Sequence, residues 1–164
     1  MKNSGFLFLA IILLSISIMG FTALPYFSSL FDSPDIGTTY SSLGEQIYLS
    51  GRRENGRSIS HSGGPHWLGM MGGSCSSCHG EDGKGGFQIM MSDEEAPPIT
   101  WKALTTEEHN EHGEEEPLYN KRMIERAITK GLGPSGKLLD SAMPRWEMNQ
   151  TELDAIIDFL KELD

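Results

Sequence analysis

The most regular pattern of apolar and polar positions lies at the carboxyl end of the chain. Apolar side chains recur there at three- and four-residue intervals: Leu153, Ile156, Ile157, Leu160 and Leu163. This spacing places them on one face of an α-helix. Residues 149–152 (Asn-Gln-Thr-Glu) can cap such a helix, so the pattern predicts a closing helix that begins near residue 150.

A second helix is predicted from Ser42 onward. Ser42 and Glu45 have the spacing of a capping box, in which each side chain satisfies a backbone N–H of the first turn. Leu43 and Ile47 then share one face of the helix. Gly51 suits its end, because glycine readily adopts the left-handed conformation that often closes a helix.

A third helix is predicted between Pro117, a good first helical residue, and Gly131, a good cap. Apolar residues recur at helical spacing between them: Met123, Ile124, Ala127 and Ile128. Segments 51–74 and 131–150 contain glycines and prolines that interrupt regular structure, and they are predicted as irregular loops. Since no strand pattern stands out, the predicted fold class is all-α.

An uncharged apolar run covers residues 5–24 and predicts a membrane anchor. Twenty residues in a helix span about 30 Å, the thickness of the hydrocarbon layer. The alternative is a cleaved signal peptide, but those have a shorter apolar core, and residues 21–24 offer no convincing cleavage pattern. We therefore expect residues 1–24 to form one transmembrane helix that is retained. As an anchor or as a signal peptide, this segment would direct export.

The charges around this run give its orientation. Lys2 precedes the span while Asp32 and Asp35 follow it, so the amino terminus is expected inside and the following domain outside the cytoplasm. Residues 25–40 mix Pro, Ser, Gly and Thr with aromatic residues and are predicted to be a tether. Residues 41–164 would then form one small domain.

The chain is acidic, with 23 Asp and Glu against 13 Lys and Arg, for a net charge of −10. Most of the excess lies in residues 92–116, which hold nine acidic residues and a single base, Lys102. This segment is predicted to be a solvated loop. The balance argues against nucleic acid as a partner, because a phosphate backbone would be repelled.

Both cysteines of the chain lie in residues 75–79, Cys-Ser-Ser-Cys-His. Cys-x-x-Cys-His is the attachment motif of c-type haem. Cys75 and Cys78 can each add across one haem vinyl group, and the imidazole of His79 then reaches the iron. A thioredoxin-like pair would need a βαβ context, a zinc site needs two more ligands, and a disulfide would leave His79 unexplained.

The second axial ligand decides whether the iron carries electrons or binds small molecules. We predict Met143, because a thioether stabilises ferrous iron and Pro144 favours an extended backbone that can hold this side chain in a pocket. Met123 fits a helix core better. Other methionines remain possible without the same flanking residues: Met70, Met71, Met90, Met91 and Met148.

With these residues the chain resembles the class I cytochromes c over most of residues 42–163. Residues 44–48 (Gly-Glu-Gln-Ile-Tyr) resemble that family's first helix, whose glycine packs against an aromatic residue of the last helix, here Phe159. The haem motif and the Met-Pro sequence at Met143 resemble the family's haem segment and ligand loop. The resemblance implies an all-helical fold wrapped around one covalent haem c.

Two features differ from the compact members of that family. Segment 51–74 separates the first helix from the haem motif, and the acidic segment 92–116 is also long. In the family a proline carbonyl after the motif accepts a hydrogen bond from the ligating histidine. Either Pro97 or Pro98 is expected to do so here.

The remaining histidines and arginines have weaker claims to a role. His109 and His112 lie among glutamates and could bind a metal ion, although a hydrated segment is the ordinary interpretation. His61 and His66 are alternative iron ligands. The three arginines of one short loop could pair with haem propionates or with anionic lipid: Arg52, Arg53 and Arg57. The three tryptophans could line the haem or fill the core: Trp67, Trp101 and Trp146.

The main hypothesis is an electron carrier of a respiratory chain, not an enzyme, on the outer (periplasmic or external) face of a membrane. His79 and Met143 would ligate its haem iron, and the acidic segment would steer it towards basic redox partners. One alternative is a haem-bearing subunit of a membrane oxidase or reductase complex. Another is a haem ligand binder or peroxidase, which would need an open iron position.

Overall fold

The computed structural model describes residues 38–91, 93–106 and 117–163. The predicted anchor, residues 25–37 of the predicted tether and His109 and His112 lie outside these ranges. Within the described ranges, no helix has the length and apolar character needed to cross a membrane. The described residues from Thr39 onward belong to one compact unit.

The unit contains six helices and one two-residue strand pair within the described residues. In chain order the helices are α1 (Leu43–Ser50), α2 (His66–Met71), α3 (Ser76–His79), α4 (Trp101–Thr106), α5 (Lys121–Lys130) and α6 (Gln150–Glu162). Strands β1 (His61–Ser62) and β2 (Arg145–Trp146) pair antiparallel, with His61 opposite Trp146. The regular structure of the described residues is thus mostly helical.

The helix caps follow the local sequence closely. The Asn149 side chain accepts a hydrogen bond from Glu152 N at 3.0 Å, and Glu152 Oε2 accepts one from Asn149 N at 2.8 Å, which completes the predicted capping box of α6. The ends predicted at Gly51 and Gly131 are confirmed, since both glycines are left-handed caps.

The cap of α1 differs in one detail from the prediction. Ser42 accepts a hydrogen bond from Glu45 N at 3.1 Å, as expected. The Glu45 carboxylate, however, accepts from the backbone N–H and the hydroxyl of Ser41 instead of from Ser42 N. The reciprocal half of the box has therefore moved one residue towards the amino terminus.

Helices α1 and α6 make the most extensive contact between elements. The side chains between them form the centre of the core, with Ile47, Tyr48, Ile156 and Ile157 almost fully buried. The apolar stripe predicted from the sequence therefore faces the core, as its spacing indicates. Leu163, the last residue of the stripe, is partly buried at its edge.

The prediction of an irregular loop over 51–74 is wrong in part, because this segment contains β1 and α2. Pro65, in extended conformation, precedes α2, and Leu68 buries its side chain in the core. The strand pair was not predicted, but the mostly helical domain agrees with the all-α prediction. A two-residue ladder is too short to leave an alternating pattern in the sequence.

Two further boundaries differ from the sequence-based expectation. Helix α5 begins at Lys121 instead of Pro117, because the Asn120 side chain caps it by accepting a hydrogen bond from Met123 N at 3.0 Å. The acidic segment 92–116 is not a loop throughout, since α4 lies within it. Ala103 and Leu104 of α4 are buried, which gives this helix an apolar face.

Candidate haem site

The cysteine–histidine motif forms a single helical turn. Cys75 is the N-cap of α3, Gly80 is its C-cap, and His79 N donates to Cys75 O at 2.9 Å. In this turn Cys78 and His79 follow Cys75 by three and four residues, so the three side chains lie on one side. Both cysteines are free thiols and do not form a disulfide.

Burial keeps both sulfur atoms in the neutral thiol form. It raises the pKa of Cys75 to about 12, with a smaller contribution from the neighbouring Cys78. Burial also raises the pKa of the Cys78 thiol above its usual value. A redox-active cysteine pair would instead need a lowered pKa in at least one thiol. The two thiols therefore do not have the character of an activated redox pair.

His79 is a buried imidazole with only one of its nitrogens engaged. Its side chain is 7% exposed, and its Nδ1 lies 2.8 Å from the carbonyl oxygen of Pro97. A carbonyl only accepts, so Nδ1 carries the proton and donates. Burial lowers the pKa of His79 below its usual value, although the Pro97 hydrogen bond opposes this. The neutral ring thus leaves Nε2 as a metal-ligating nitrogen.

The sequence left open whether Pro97 or Pro98 accepts the hydrogen bond from the histidine. The structure shows that Pro97 accepts it. Its approach depends on Gly85, whose N–H donates to His79 O at 2.9 Å. A Cβ atom on Gly85 would lie 2.6 Å from Pro97 O and 2.5 Å from the Pro97 carbonyl carbon. Only glycine therefore lets the two segments come this close.

Tyr48 is a structural partner of the motif that the sequence analysis missed. Its side chain is fully buried, and its hydroxyl donates to Gly80 O at 2.7 Å. Burial raises the pKa of this phenol, helped by nearby Cys75 and Asp82. The ring also packs against Phe159, with centroids 5.2 Å apart. The tyrosine thus ties α1, α3 and α6 together.

Met143 lies near His79, in the loop before β2. Its side chain is half-buried and packs against the hydrophobic core. Its N–H donates to Asp140 O at 3.1 Å, and its carbonyl accepts from the Arg145 guanidinium. The β1–β2 pair holds the residues just after it. The loop is therefore fixed on both sides of the methionine.

The other described methionines fall into two groups. Met148 is also half-buried against the core, and Met123 is half-buried in α5. Four are exposed to solvent: Met70, Met71, Met90 and Met91.

The other histidines and the clustered arginines have different surroundings. His61 lies in β1 with its ring 5.2 Å from that of Trp146, and its buried Nδ1 has no hydrogen-bond partner. His66 is exposed at the start of α2. Arg53, one of the three clustered arginines, forms an ion pair with Glu152 of α6 at 2.5 Å. Among the described residues, no group of three His, Cys, Asp or Glu side chains could hold a metal ion.

The three tryptophans all contact the protein core. Trp146 is buried, whereas Trp67 and Trp101 are partly buried at its edge. The ammonium group of Lys161 lies 5.1 Å from the centre of the Trp101 ring. The described contacts of these rings are thus all with other parts of the protein.

A cytochrome c family model matches residues 69–164, which is more than half of the chain. The chain therefore belongs to the cytochrome c family. No curated protein and no solved structure matches it. The matched region contains the haem motif, the Pro97 carbonyl and Met143. Segment 51–68, which carries β1 and the start of α2, lies before it.

Proposed function

We propose that this protein is a one-electron carrier with a single covalent haem c, attached through Cys75 and Cys78 and ligated by His79 and Met143. The observation that supports it most directly is His79. A buried, neutral imidazole fixed through Nδ1 to the Pro97 carbonyl directly follows two free thiols. This combination fits an iron ligand beside two thiols that can each attach to one haem vinyl group.

A bound haem would supply an iron that cycles between ferric and ferrous states. The residues of this chain would hold the iron at fixed ligation during that change. The Pro97 carbonyl keeps the His79 ring in one tautomer and one orientation. Such rigid surroundings favour rapid electron transfer, because little atomic rearrangement accompanies the change of charge.

Met143 is the proposed second ligand on three grounds. It lies near His79 and is half-buried, whereas four other methionines are exposed. Its loop is held by Arg145 and by the β1–β2 pair. A thioether ligand favours the ferrous state and raises the reduction potential, as suits a carrier in a respiratory chain.

We further propose that the amino-terminal segment anchors the domain to a membrane on its outer side. Support comes from the uncharged run over residues 5–24 and from the position of Lys2 before it. The partners would be redox proteins or a membrane respiratory complex. Purification in mild detergent as a lone monomer would favour a free carrier over a permanent subunit.

The decisive experiment compares Met143→Ala with Met148→Ala. Protein made in cells able to attach haem should carry one haem by mass. Met143→Ala should lower the reduction potential and let the ferrous protein bind carbon monoxide at least about tenfold more tightly, since the lost ligand bond exceeds about 1.4 kcal/mol. Met148→Ala should leave both properties close to those of the wild type.

Two results would contradict the proposal. Protein without an added haem would refute it entirely. Rapid carbon monoxide binding by the unaltered protein, unchanged by Met143→Ala, would instead indicate a ligand binder or peroxidase with an open iron position.

A further inference from the structure

An exposed apolar surface lies on two segments that flank the haem motif. Its members are large side chains that are more than half exposed: Met70, Met71, Phe87, Met90 and Met91. We name this set the methionine patch. Methionine and phenylalanine are normally buried, and a contiguous group of them at the surface marks an interaction site more often than isolated ones do.

One hydrogen bond joins the two segments. The Trp67 indole N–H in α2 donates to Met90 O at 3.0 Å, so α2 lies against the turn that carries Met90 and Met91. That turn is closed by its own backbone, since Ile89 N donates to Glu94 O at 2.9 Å and Ala96 N to Phe87 O at 3.1 Å. The two segments that carry the patch are therefore in direct contact.

The patch adjoins the cysteines that would hold the haem. Only residues 72–74 separate Met71 from Cys75. On the other side, the Phe87 ring lies against Gly80, where an added Cβ would come 2.7 Å from Phe87 Cε2. Because Gly80 directly follows His79, a molecule on this patch would sit next to the residues that would hold the haem.

Exposed acidic side chains lie close in sequence to the patch, and one base, Lys84, pairs with Asp82 among them. Asp93, Glu94 and Glu95 are exposed in the same turn as Met91, and Glu81 and Asp82 are exposed just after the haem motif. The turn also borders an open surface depression of about 320 Å³, lined by Gln88, Ile89, Met90, Met91 and Asp93. A depression of that size, with a carboxylate at its edge, can receive a side chain from another protein.

We propose that the methionine patch is the docking surface for a redox partner protein whose own face has an apolar centre and a rim of Lys and Arg. The inference rests on the proposed electron-transfer function. The negative rim favours a basic partner and repels anionic lipid and a second copy of the same face. Flexible methionine side chains adapt to a partner's shape, which suits the brief contacts of electron transfer.

The test measures electron transfer to a lysine-rich mitochondrial cytochrome c, used as a basic protein probe, in stopped flow at low salt. The variant replaces Met70, Met71, Met90 and Met91 by glutamine, which keeps the side-chain length and removes the apolar surface. Its bimolecular rate should fall at least about fivefold, a loss of about 1 kcal/mol from the docked complex. An unchanged rate would overturn the inference.

Controls separate the patch from the haem and from general surface effects. Leu118→Gln with Leu138→Gln removes exposed apolar side chains elsewhere and should leave the rate unchanged. Reduction by ascorbate should be equal in all variants, since it needs no docking. If the unaltered protein, made in cells able to attach haem, carries no haem, the proposed function fails. If ascorbate reduces every variant normally and the probe rate does not change, only the docking inference fails.

Two further measurements address the other possible occupants. Sedimentation with neutral and anionic phospholipid vesicles tests a lipid surface, and sedimentation velocity tests self-association. For both measurements, a protease site inserted into the full chain releases residues 38–164 from the anchor. The inference expects that this released domain neither binds vesicles nor dimerises. Vesicle binding or dimerisation that is abolished by the four glutamine substitutions would assign the patch to that occupant and overturn the inference.

Discussion

At the scale of single residues, the site depends on one hydrogen bond between His79 Nδ1 and Pro97 O. A buried imidazole is stable only if its N–H has a partner. The backbone carbonyl satisfies this N–H without adding a charge, and the 2.8 Å distance indicates a good hydrogen bond. The approach of Pro97 to His79 depends in turn on the missing side chain of Gly85.

Substitution of Gly85 by alanine should disturb this hydrogen bond. The new Cβ would collide with Pro97, so the carbonyl should move away and the basicity of the His79 ring should fall. A less basic ligand stabilises ferric iron less, so the reduction potential should rise. A redox titration of the haem protein measures this.

Gly86→Ala is the matched control for Gly85→Ala. Both glycines have positive φ, but an added Cβ at Gly86 meets nothing within 4 Å. Both variants should lose about 1–2 kcal/mol of stability from the left-handed backbone. Equal potentials in the two variants would show that the approach of Pro97 does not tune the site.

At the scale of elements, the fold depends on the crossing of α1 and α6. Gly44 lies where the two helices touch, and a Cβ there would lie 2.8 Å from Phe159 Cβ and even closer to the Ala155 carbonyl. The expected pairing of this glycine with Phe159 is therefore confirmed. The close approach also lets Tyr48 reach both Phe159 and Gly80.

Gly44→Ala should lower the free energy of unfolding by about 1–3 kcal/mol, because the added methyl meets backbone that cannot move aside. Gly69→Ala, within α2, is the control. An added Cβ there meets nothing within 4 Å, and alanine favours helix, so this variant should gain up to about 1 kcal/mol. Denaturant unfolding measures both. Equal effects would argue against a tight α1–α6 contact.

The cap of α1 should make stability depend on pH. Hydrogen bonds from the Ser41 backbone and hydroxyl lower the pKa of Glu45 below its ordinary value of 4.5. The unfolded chain binds the proton more readily, so this stabilisation is complete above about pH 4.5 and is lost as pH falls through the folded-state pKa. Glu45→Gln should therefore melt at a lower temperature than the wild type near pH 6. The difference should shrink below pH 4.5, and a constant difference would contradict the assignment.

At the scale of the whole molecule, segment 51–74 connects parts of the fold that are distant in sequence. Arg53 pairs with Glu152 of α6 and donates to Glu147 O at 2.7 Å. Strand β1 pairs with β2 beside the Met143 loop, and Ser60 O accepts from Glu147 N at 2.8 Å. The segment thus braces the closing helix and the loop that carries the proposed ligand.

Glu152→Gln tests the ion pair alone, because glutamine can keep the capping hydrogen bond to Asn149 N. The half-buried Arg53 guanidinium would lose its charged partner, so stability should fall by about 1–3 kcal/mol. Asp158→Asn is the control, since the Asp158–Lys161 pair is exposed. It should change stability by less than about 0.5 kcal/mol. Thermal unfolding distinguishes the two results.

Features that depend on nearby residues were predictable from the sequence. The haem motif, the Asn149 cap, the stripe of α6 and the ends at Gly51 and Gly131 each involve residues a few positions apart. Helix α2 and the start of α5 were not predicted correctly. Helix α2 is too short to show a full period of apolar residues. Helix α5 begins after Asn120 instead of at Pro117, because the Asn120 side chain caps it by accepting a hydrogen bond from Met123 N.

The sequence by itself determined the chemistry of this protein: two thiols and an imidazole in one turn, placed before helices with caps and an apolar face. Only the tertiary structure decided which groups meet them. His79 and Pro97 are 18 residues apart, Tyr48 and Gly80 are 32, and Arg53 and Glu152 are 99. Local hydrogen bonding is encoded over one helical turn, whereas such distant contacts depend on how closely glycines such as Gly44 and Gly85 let packed segments approach.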